Sequence, residues 1–353
     1  MHTDSSPEPG LDFKDSFLAY PSPWSKQSSP RIKGIYTMQD NSPPVLTSLL
    51  VVLIGALWGV YWAPLRRLET ILAGGPWLTF AAVFIACLVL SPFAWKGRTR
   101  LEASNKKALL STALGGASFV LYSNGLLYGQ VAVVILLFYL TPVWSTLIAR
   151  LWMKWPISPW RYMAILLGLP GIGMVLSGSH SGLPLPHTLG DFLGLTSGIL
   201  WSIAATGINV HSRTKAAETN FVFCAGGVLM ALVLALTLGR DGGQVVILKS
   251  GLAAWGWMSF VGVLWWAVSL TGFMWASRRL EPARVGILLM SEVIVGAMSA
   301  GLFAGEPFSG LMIVGAVLVV GAALIETVSK PYFVCHSCAW TTSRNLVRGQ
   351  SPK

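Results

Sequence analysis

Residues 282–303 read PARVGILLMSEVIVGAMSAGLF and contain only two charged side chains, Arg284 near the start and Glu292 near the middle. An α-helix rises 1.5 Å per residue, so about 20 apolar residues cross the ~30 Å hydrocarbon core of a bilayer. The stretch therefore predicts a transmembrane helix. It also places one carboxyl group at bilayer depth, where a charged acid costs about 2.5–3.5 kcal/mol on insertion scales.

Nine further stretches share this approximate length and apolar character. The ten predicted spans are residues 45–65, 76–95, 108–127, 131–153, 160–179, 190–210, 220–238, 252–276, 282–303 and 308–327. Most of the joins between them are too short to hold a folded domain. The sequence thus predicts an all-α polytopic membrane protein with ten transmembrane helices in one compact unit.

The composition supports a chain that faces lipid. Hydrophobic residues make up 54% of the 353 positions and charged residues 11%, with a mean hydropathy of +0.63. Soluble domains carry about 25% charged residues, because their surfaces face water. The net charge of +11 would suit a nucleic-acid partner, but the basic residues fall in the tails and in short loops between spans. We therefore expect the lipid bilayer, and no nucleic acid, as a partner.

The distribution of Lys and Arg predicts the orientation of the spans. With both tails on one side of the membrane, that side holds 21 of the 25 basic residues and the other side holds four. Basic residues accumulate on the cytoplasmic side of membrane proteins. We expect a multi-pass protein of the cell (inner) membrane with both termini in the cytoplasm.

Internal repetition predicts two related halves. At an offset of 143 residues, Gly55-Ala-Leu-Trp58 matches Gly198-Ile-Leu-Trp201, and at an offset of 151 residues the fourth and fifth spans match the ninth and tenth. Because a unit of five spans is odd, the second copy enters from the opposite face, as in many secondary transporters. We predict a first five-helix repeat at residues 45–180 and an inverted second repeat at residues 190–328.

The two tails are predicted to lie outside this unit. Residues 1–44 are crowded with Ser and Pro and lack apolar periodicity, which predicts disorder, and Met38 is a second possible start. Residues 329–353 form a predicted cytoplasmic tail with a CxxC sequence, Cys335 to Cys338. No further ligands accompany this pair, so we expect neither a metal nor a cofactor.

Polar side chains concentrate in six of the ten predicted spans, those that begin at residues 45, 108, 131, 190, 252 and 282. Because polar groups that face lipid are costly, these six helices should surround an interior and the other four should shield them. The residues predicted to bind substrate in this interior are Trp58, Ser118, Tyr122, Asn124, Tyr139, Trp201, Trp266, Ser269 and Glu292. The alternative for most of them is hydrogen bonding between helices without a cavity.

The two glutamates of the last two spans receive different interpretations. Glu292 could bind a substrate ammonium or carry a coupling proton, and the structural alternative is a protonated Glu292 hydrogen-bonded to a neighbouring helix. Glu306 precedes Pro307 at the start of the last span, and the dipole at a helix N-terminus stabilises a carboxylate. We therefore expect a structural role for Glu306 at that N-terminus.

The chain resembles the EamA-type branch of the drug/metabolite transporter superfamily. The resemblance rests on Gly55-Ala-Leu-Trp58-Gly59, on the opening of the second half from Gly190 to Trp201, and on Leu288-Leu-Met-Ser-Glu-Val293 through Gly305-Glu306-Pro307-Phe308. The last run is most similar to the YddG-type amino-acid exporters. The resemblance implies ten helices, a central cavity bounded by the first, third, fourth, sixth, eighth and ninth, and export of aromatic or other neutral amino acids.

The expected function is secondary export of amino acids, aromatic or neutral, or of similar small metabolites by alternating access. No Lys or Arg lies deep in a span, which argues against phosphorylated cargo. Export of drugs or other lipophilic compounds is the alternative within transport. An intramembrane lipid-modifying enzyme is an alternative of another class, but we do not expect an enzyme, because His180 and His187 have no catalytic partners in sequence. A structural or receptor protein is a further class.

Overall fold

The computed structural model describes residues 44–151, 159–179, 185–208, 214–239, 243–280, 282–306 and 308–328. Within these ranges no residue lies in a β-strand. The predictions for residues 1–43, for His180 and for the Cys335–Cys338 pair fall outside the described residues.

Fifteen α-helices and one π-helical segment make up the described part of the chain. The helices are α1 (Pro44–Gly59), α2 (Trp62–Leu72), α3 (Pro76–Lys96), α4 (Arg98–Glu102), α5 (Lys106–Tyr128), α6 (Val131–Phe138), α7 (Thr141–Leu151), α8 (Pro159–Ser179), α9 (Leu189–Ile208), α10 (Ala216–Leu238), α11 (Gly243–Lys249), α12 (Leu252–Val261), α13 (Leu270–Ser277), α14 (Pro282–Phe303) and α15 (Gly310–Val328). The π-helical segment, Gly262–Ser269, joins α12 to α13.

Six helical stretches are long and apolar enough to cross a membrane: Val45–Leu72, Pro76–Lys96, Val131–Ile148, Ala216–Leu238, Leu252–Ser277 and Arg284–Phe303. Three shorter apolar helices lie at Tyr162–Gly178, Leu189–Ala205 and Gly310–Ile325. Helix α5 is not in either set, because Gly, Ser and Asn residues lower its hydropathy. The all-helical, multi-pass membrane class predicted from the sequence is confirmed at this level.

Two prolines interrupt the long helices of the first half. Pro64 has no N–H to donate to the Val60 carbonyl, and the chain turns between α1 and α2, where Ala63 N–H bonds Val60 O at 3.1 Å. Pro142 likewise leaves the Phe138 carbonyl without a helical partner, and the hydroxyl of Thr141 donates to it at 2.5 Å. Proline is the usual cause of such breaks. Each break lies beside the cavity described below.

Glycines allow the helices to approach each other closely. A Cβ atom on Gly116 of α5 would meet the backbone carbonyl of Phe223 in α10, and one on Gly226 of α10 would meet that of Ala113 in α5. Similarly, a Cβ on Gly59 of α1 would lie 2.8 Å from the Glu292 carbonyl oxygen of α14. Small residues at helix crossings are typical of membrane bundles. These contacts hold α1 directly against the centre of α14.

Ion pairs lie near the two ends of α3. At the end where α3 begins, Arg66 Nη1 donates to Glu306 Oε1 at 3.1 Å. At the end where α3 stops, Arg100 pairs with Glu218 of α10, whose carboxylate also accepts from the Lys215 backbone N–H at 2.8 Å. Each pair therefore fixes one end of the bundle.

The helix terminus occupied by Glu306 differs from the predicted one. Its Oε1 accepts from the backbone N–H of Val131 at 3.0 Å, at the start of α6. Helix α15 begins later and takes its cap from Ser309, whose hydroxyl accepts from Met312 N–H at 3.2 Å. The prediction of a carboxylate at a helix N-terminus is confirmed, but the assignment to the last span was wrong. Sequence adjacency does not reveal a partner helix 175 residues away.

Candidate functional site

Glu292 lies near the middle of α14 and is buried, with 7% of its surface exposed. Its Oε1 accepts a hydrogen bond from the Tyr122 hydroxyl at 2.7 Å, and its Oε2 accepts one from the Tyr139 hydroxyl at 3.0 Å. The Tyr139 hydroxyl also lies 3.0 Å from the carbonyl oxygen of Leu289. Two helices, α5 and α14, and the turn after α6 thus meet at one carboxyl group.

Glu292 has no cationic partner among the described residues. The two ion pairs found there, Arg66–Glu306 and Arg100–Glu218, belong to other carboxylates. A buried carboxylate without a counter-ion is costly, since hydroxyl donors replace only part of its hydration. Such a group is completed by a proton or by a cation that enters from outside.

A cavity of about 240 Å³ adjoins Glu292. The described residues that line it are Ile54, Trp58, Phe119, Phe138, Tyr139, Thr141, Pro142, Trp201, Leu270, Phe273, Gly286, Leu289, Met290, Glu292 and Ala323. The lining therefore comes from both halves of the chain and consists of aromatic and aliphatic side chains around one carboxyl group. A concave, mostly apolar site with one placed polar group is the usual form of a small-molecule site.

The aromatic side chains of the cavity form one connected cluster. Phe119 is at its centre, with ring centroids 5.2 Å from Trp58, 5.3 Å from Trp201 and 5.8 Å from Phe138. The Phe138 ring in turn lies 5.7 Å from that of Tyr139. Edge-on and tilted contacts at these distances stabilise aromatic pairs by about 0.5–1.5 kcal/mol each beyond burial. The cavity wall is therefore well defined in shape.

The π-helical segment supports this wall from behind. Trp58 Nε1 donates to the Ser269 hydroxyl at 3.0 Å, and Trp266 Nε1 donates to the Tyr61 hydroxyl at 3.1 Å. The Tyr61 hydroxyl also lies 2.8 Å from the hydroxyl of Ser123 in α5. A π-helical turn adds a residue to the helix and redirects its side chains, which is frequent at functional sites. Here it aligns the donors and acceptors that hold Trp58.

The nine residues predicted to bind substrate occupy three kinds of position. Trp58, Tyr139, Trp201 and Glu292 line the cavity. Tyr122, Trp266 and Ser269 lie behind it and hold Glu292, Tyr61 and Trp58, respectively.

Ser118 and Asn124 are buried between helices instead. The Ser118 hydroxyl donates to the Ser197 carbonyl at 2.8 Å, and Asn124 Nδ2 donates to the Val120 carbonyl at 2.9 Å.

Sequence reasoning missed three aromatic residues of the cavity wall, Phe119, Phe138 and Phe273. The prediction selected polar and amphipathic side chains, and phenylalanine has no polar group that distinguishes it in an apolar span. For Phe119 and Phe138 a usable signal existed, because each lies within three residues of a predicted tyrosine or asparagine. Only the helix packing shows which faces meet.

A second, larger apolar groove of about 520 Å³ lies between α6, α14 and α15. Several of its walls are outward-facing side chains, such as Met298 at 61% and Val317 at 66% exposure. Glu306 is its one charged lining residue. In a bilayer such a surface is covered by lipid acyl chains, so the cavity at Glu292 is the better candidate site. Within the described residues no cluster of His, Cys, Asp or Glu could hold a metal ion.

Comparisons with known proteins show a similarity to transporters. Residues 45–177 match the EamA-like transporter family. The threonine/homoserine exporter RhtA of Salmonella typhimurium is 24% identical over 295 residues, which cover 81% of this chain and 93% of RhtA. An uncharacterised transporter of Archaeoglobus fulgidus is 24% identical over 250 residues, covering 70% of this chain and 85% of its own.

A crystal structure of 16% identity has the same fold, with a TM-score of 0.51 over 80% of this chain and 95% of that one. The resemblance drawn from the sequence is thus confirmed: residues 45–177 form an EamA-like domain of the drug/metabolite transporter superfamily, in a chain similar to amino-acid exporters.

Proposed function

We propose that this protein is a secondary exporter of amino acids, aromatic or neutral, or of similar small metabolites, and that it works by alternating access. The observation that carries the proposal is the cavity at Glu292, which side chains from both halves of the chain line. The similarity to RhtA, whose name describes export of threonine and homoserine, supports the direction and the substrate size.

Helix contacts support the two inverted halves, residues 45–180 and 190–328. If the halves exchange, α1 corresponds to α9, α5 to α13, and α6 to α14. Helix α5 contacts α9, and the corresponding pair, α13 and α1, is also in contact. Likewise α6 contacts α9, and the corresponding pair, α14 and α1, is in contact. The contacts of α3 with α10 and of α8 with α15 join corresponding helices directly. A pseudo-twofold arrangement of ten spans accounts for all of these pairs.

The repeat-related tryptophans also support this arrangement. Trp58 and Trp201, which the internal sequence match pairs, both line the cavity and both contact the ring of Phe119. In inverted-repeat transporters the substrate site lies at the interface of the repeats near the bilayer midplane. We assign substrate contact to Trp58, Tyr139, Trp201 and Glu292, and positioning of these groups to Tyr122, Trp266 and Ser269.

The cavity extends towards one end of the bundle. Phe273 lies one turn before the end of α13, and Gly286 lies in the second turn of α14. Beyond Glu292 in the other direction, Trp62 Nε1 donates to the Ser299 hydroxyl at 2.9 Å, and the Arg66–Glu306 pair follows. With both termini in the cytoplasm, as the basic residues predict, this is a state open to the cytoplasm and closed to the outside.

Counterflow in proteoliposomes tests the proposal. Vesicles loaded with an unlabelled amino acid or amine should accumulate the radiolabelled form faster with the protein than without it, because only a transporter accelerates exchange. The panel includes threonine, phenylalanine, tryptophan and their decarboxylated amines. If every compound exchanged at the rate seen in protein-free vesicles, that result would contradict a transport function.

A further inference from the structure

The charge balance of the cavity at Glu292 is one-sided. Among the fifteen described lining residues, Glu292 is the one charged side chain, and no Lys, Arg or His is present. Two arginines at a nearby helix end are engaged elsewhere: Arg278 donates to the Thr214 carbonyl and the Thr219 hydroxyl, and Arg279 lies 3.8 Å over the ring of Trp275. Arg284, in the first turn of α14, is exposed and does not line the cavity. A ligand in this cavity therefore meets a fixed negative charge and no positive one.

Three of the four side-chain hydrogen-bond donors of the described lining are also committed. The indole N–H of Trp58 donates to Ser269, the Tyr139 hydroxyl to Glu292 and the Thr141 hydroxyl to the Phe138 carbonyl. Trp201 offers one neutral N–H, which does not match the two oxygens of a carboxylate. Proteins bind carboxylates with arginine forks or several convergent donors. The described lining provides neither.

The remaining walls favour a cation. The faces of aromatic rings carry negative electrostatic potential, and ammonium groups bind over tryptophan and tyrosine within about 6 Å of the ring centroid. Trp58, Tyr139 and Trp201 all line the same small space as Glu292. The volume of about 240 Å³ lies below the roughly 300–1,000 Å³ typical of sites for drug-sized ligands. The site suits a small molecule with one ammonium group and an apolar body.

We infer that the substrate is a small hydrophobic amine, whose ammonium pairs with Glu292 and whose apolar body lies among the aromatic rings, and that a free carboxylate on the ligand weakens binding. This inference rests on the proposed transport function and, within its substrates, selects small amines from the similar small metabolites over the amino acids. The second oxygen of Glu292 stays bonded to a tyrosine hydroxyl when the ammonium approaches the first. The zwitterionic amino acids of the proposed function become the weaker ligands.

Three ligands with one phenyl ring test the inference: phenethylamine, phenylalanine and 3-phenylpropionate. They present an ammonium, both charges and a carboxylate, respectively. Binding to the purified full-length protein is measured from ligand-induced thermal stabilisation over a concentration series. We expect phenethylamine to bind at least tenfold more tightly than phenylalanine, and 3-phenylpropionate to give no shift. Equal or tighter binding of phenylalanine would overturn the inference.

Two variants assign the preference to the carboxylate. Glu292→Gln removes the charge but keeps one oxygen that accepts a hydrogen bond from a tyrosine hydroxyl. It should reduce the preference for the amine to within about threefold. Glu102→Gln, at an exposed residue of α4, should leave it unchanged. If Glu292→Gln does not fold, Glu292→Asp serves instead: it keeps the charge but draws it back by one methylene, and should lower the affinity for phenethylamine. A preference that survives in folded Glu292→Gln, or an unchanged affinity for phenethylamine in folded Glu292→Asp, would contradict the assignment.

Counterflow separates this inference from the function on which it rests. Exchange of phenylalanine but not of phenethylamine would contradict the amine inference and support the transport function. Selective binding of phenethylamine without exchange of any compound would retain the amine site and remove the transport function. Exchange of phenethylamine at the highest rate supports both.

Discussion

Arg66 and Glu306, 240 residues apart, are joined by a hydrogen bond of 3.1 Å that completes the ends of two helices at once. Arg66 also donates to the carbonyls of Leu126 and Gly129, at the negative end of α5. Glu306 accepts from Val131 N–H, at the positive end of α6. Each charge therefore lies at the helix end of opposite partial charge, which is a stabilising arrangement. The pair links the first half of the chain to the connection before α15, at the closed end of the cavity.

Removing this link should destabilise the closed end. Glu306→Ala leaves Arg66 Nη1 and the Val131 N–H without their acceptor, and we expect a loss of about 1–3 kcal/mol in stability, the range for an unsatisfied partner. Glu306→Gln keeps an acceptor and should lose less. Thermal unfolding in detergent, followed by size-exclusion chromatography, measures both, with Glu102→Gln as the exposed control. An unchanged unfolding temperature in Glu306→Ala would show that the pair contributes nothing.

The two tyrosines at Glu292 should act on the same group. Tyr122→Phe and Tyr139→Phe each remove one donor from the carboxylate, and each should reduce stability by about 1.5–3 kcal/mol, the range for hydrogen bonds to charged groups. Because both losses act through Glu292, the double variant should deviate from additivity by at least about 0.5 kcal/mol. A thermal-stability double-mutant cycle checks this. Strict additivity would mean that the two hydroxyls act independently.

The helix crossing of α5 and α10 should tolerate no added methyl group. Gly116→Ala and Gly226→Ala each place a Cβ against a backbone carbonyl of the opposite helix, and overpacking of this kind costs about 1–3 kcal/mol. Gly256→Ala is the matched control, since no atom lies within 4 Å of its added Cβ. We expect lower expression and lower unfolding temperature for the first two variants only. Equal behaviour of all three would contradict the close approach of α5 and α10.

Cysteine labelling tests the proposed sidedness of the cavity. In a background without Cys87, Cys224, Cys335 and Cys338, Phe273→Cys should react with a membrane-impermeant thiol reagent from the cytoplasmic side, because Phe273 lines the open end. Thr70→Cys, at an exposed position near the other end, should react from outside. Labelling of both from the same side would contradict the proposed orientation.

Much of the helical arrangement was predictable, because apolar length determines where a chain can cross lipid. The described residues of the ten predicted stretches are largely helical, but six helical stretches are long and apolar enough to cross a membrane. Pro64 and Pro142 each divide one predicted stretch into two helices. The prolines themselves are visible in the sequence. The π-helical segment at Gly262–Ser269 was not predictable, since nothing in its composition distinguishes it from the adjoining helices.

The site was predictable only in part. Glu292 was selected because a carboxyl group at bilayer depth is costly to insert. Tyr122 and Tyr139 were selected because they lie in spans that carry several polar side chains. The same criterion also selected Ser118 and Asn124, which bond to backbone carbonyls between or within helices. A serine that bonds a carbonyl and one that faces a cavity look alike in sequence. Phe119 was not selected, because its ring is apolar; its position three residues before Tyr122 was the available signal.

The central claim is that the Glu292 carboxyl group, at the junction of both halves, holds the molecule that crosses the membrane. The most direct measurement compares initial rates of radiolabelled phenethylamine exchange in matched proteoliposomes with the wild-type protein, Glu292→Gln and Glu102→Gln. We predict at least a tenfold lower rate for Glu292→Gln and a wild-type rate for Glu102→Gln. Exchange by folded Glu292→Gln at the wild-type rate would contradict the claim.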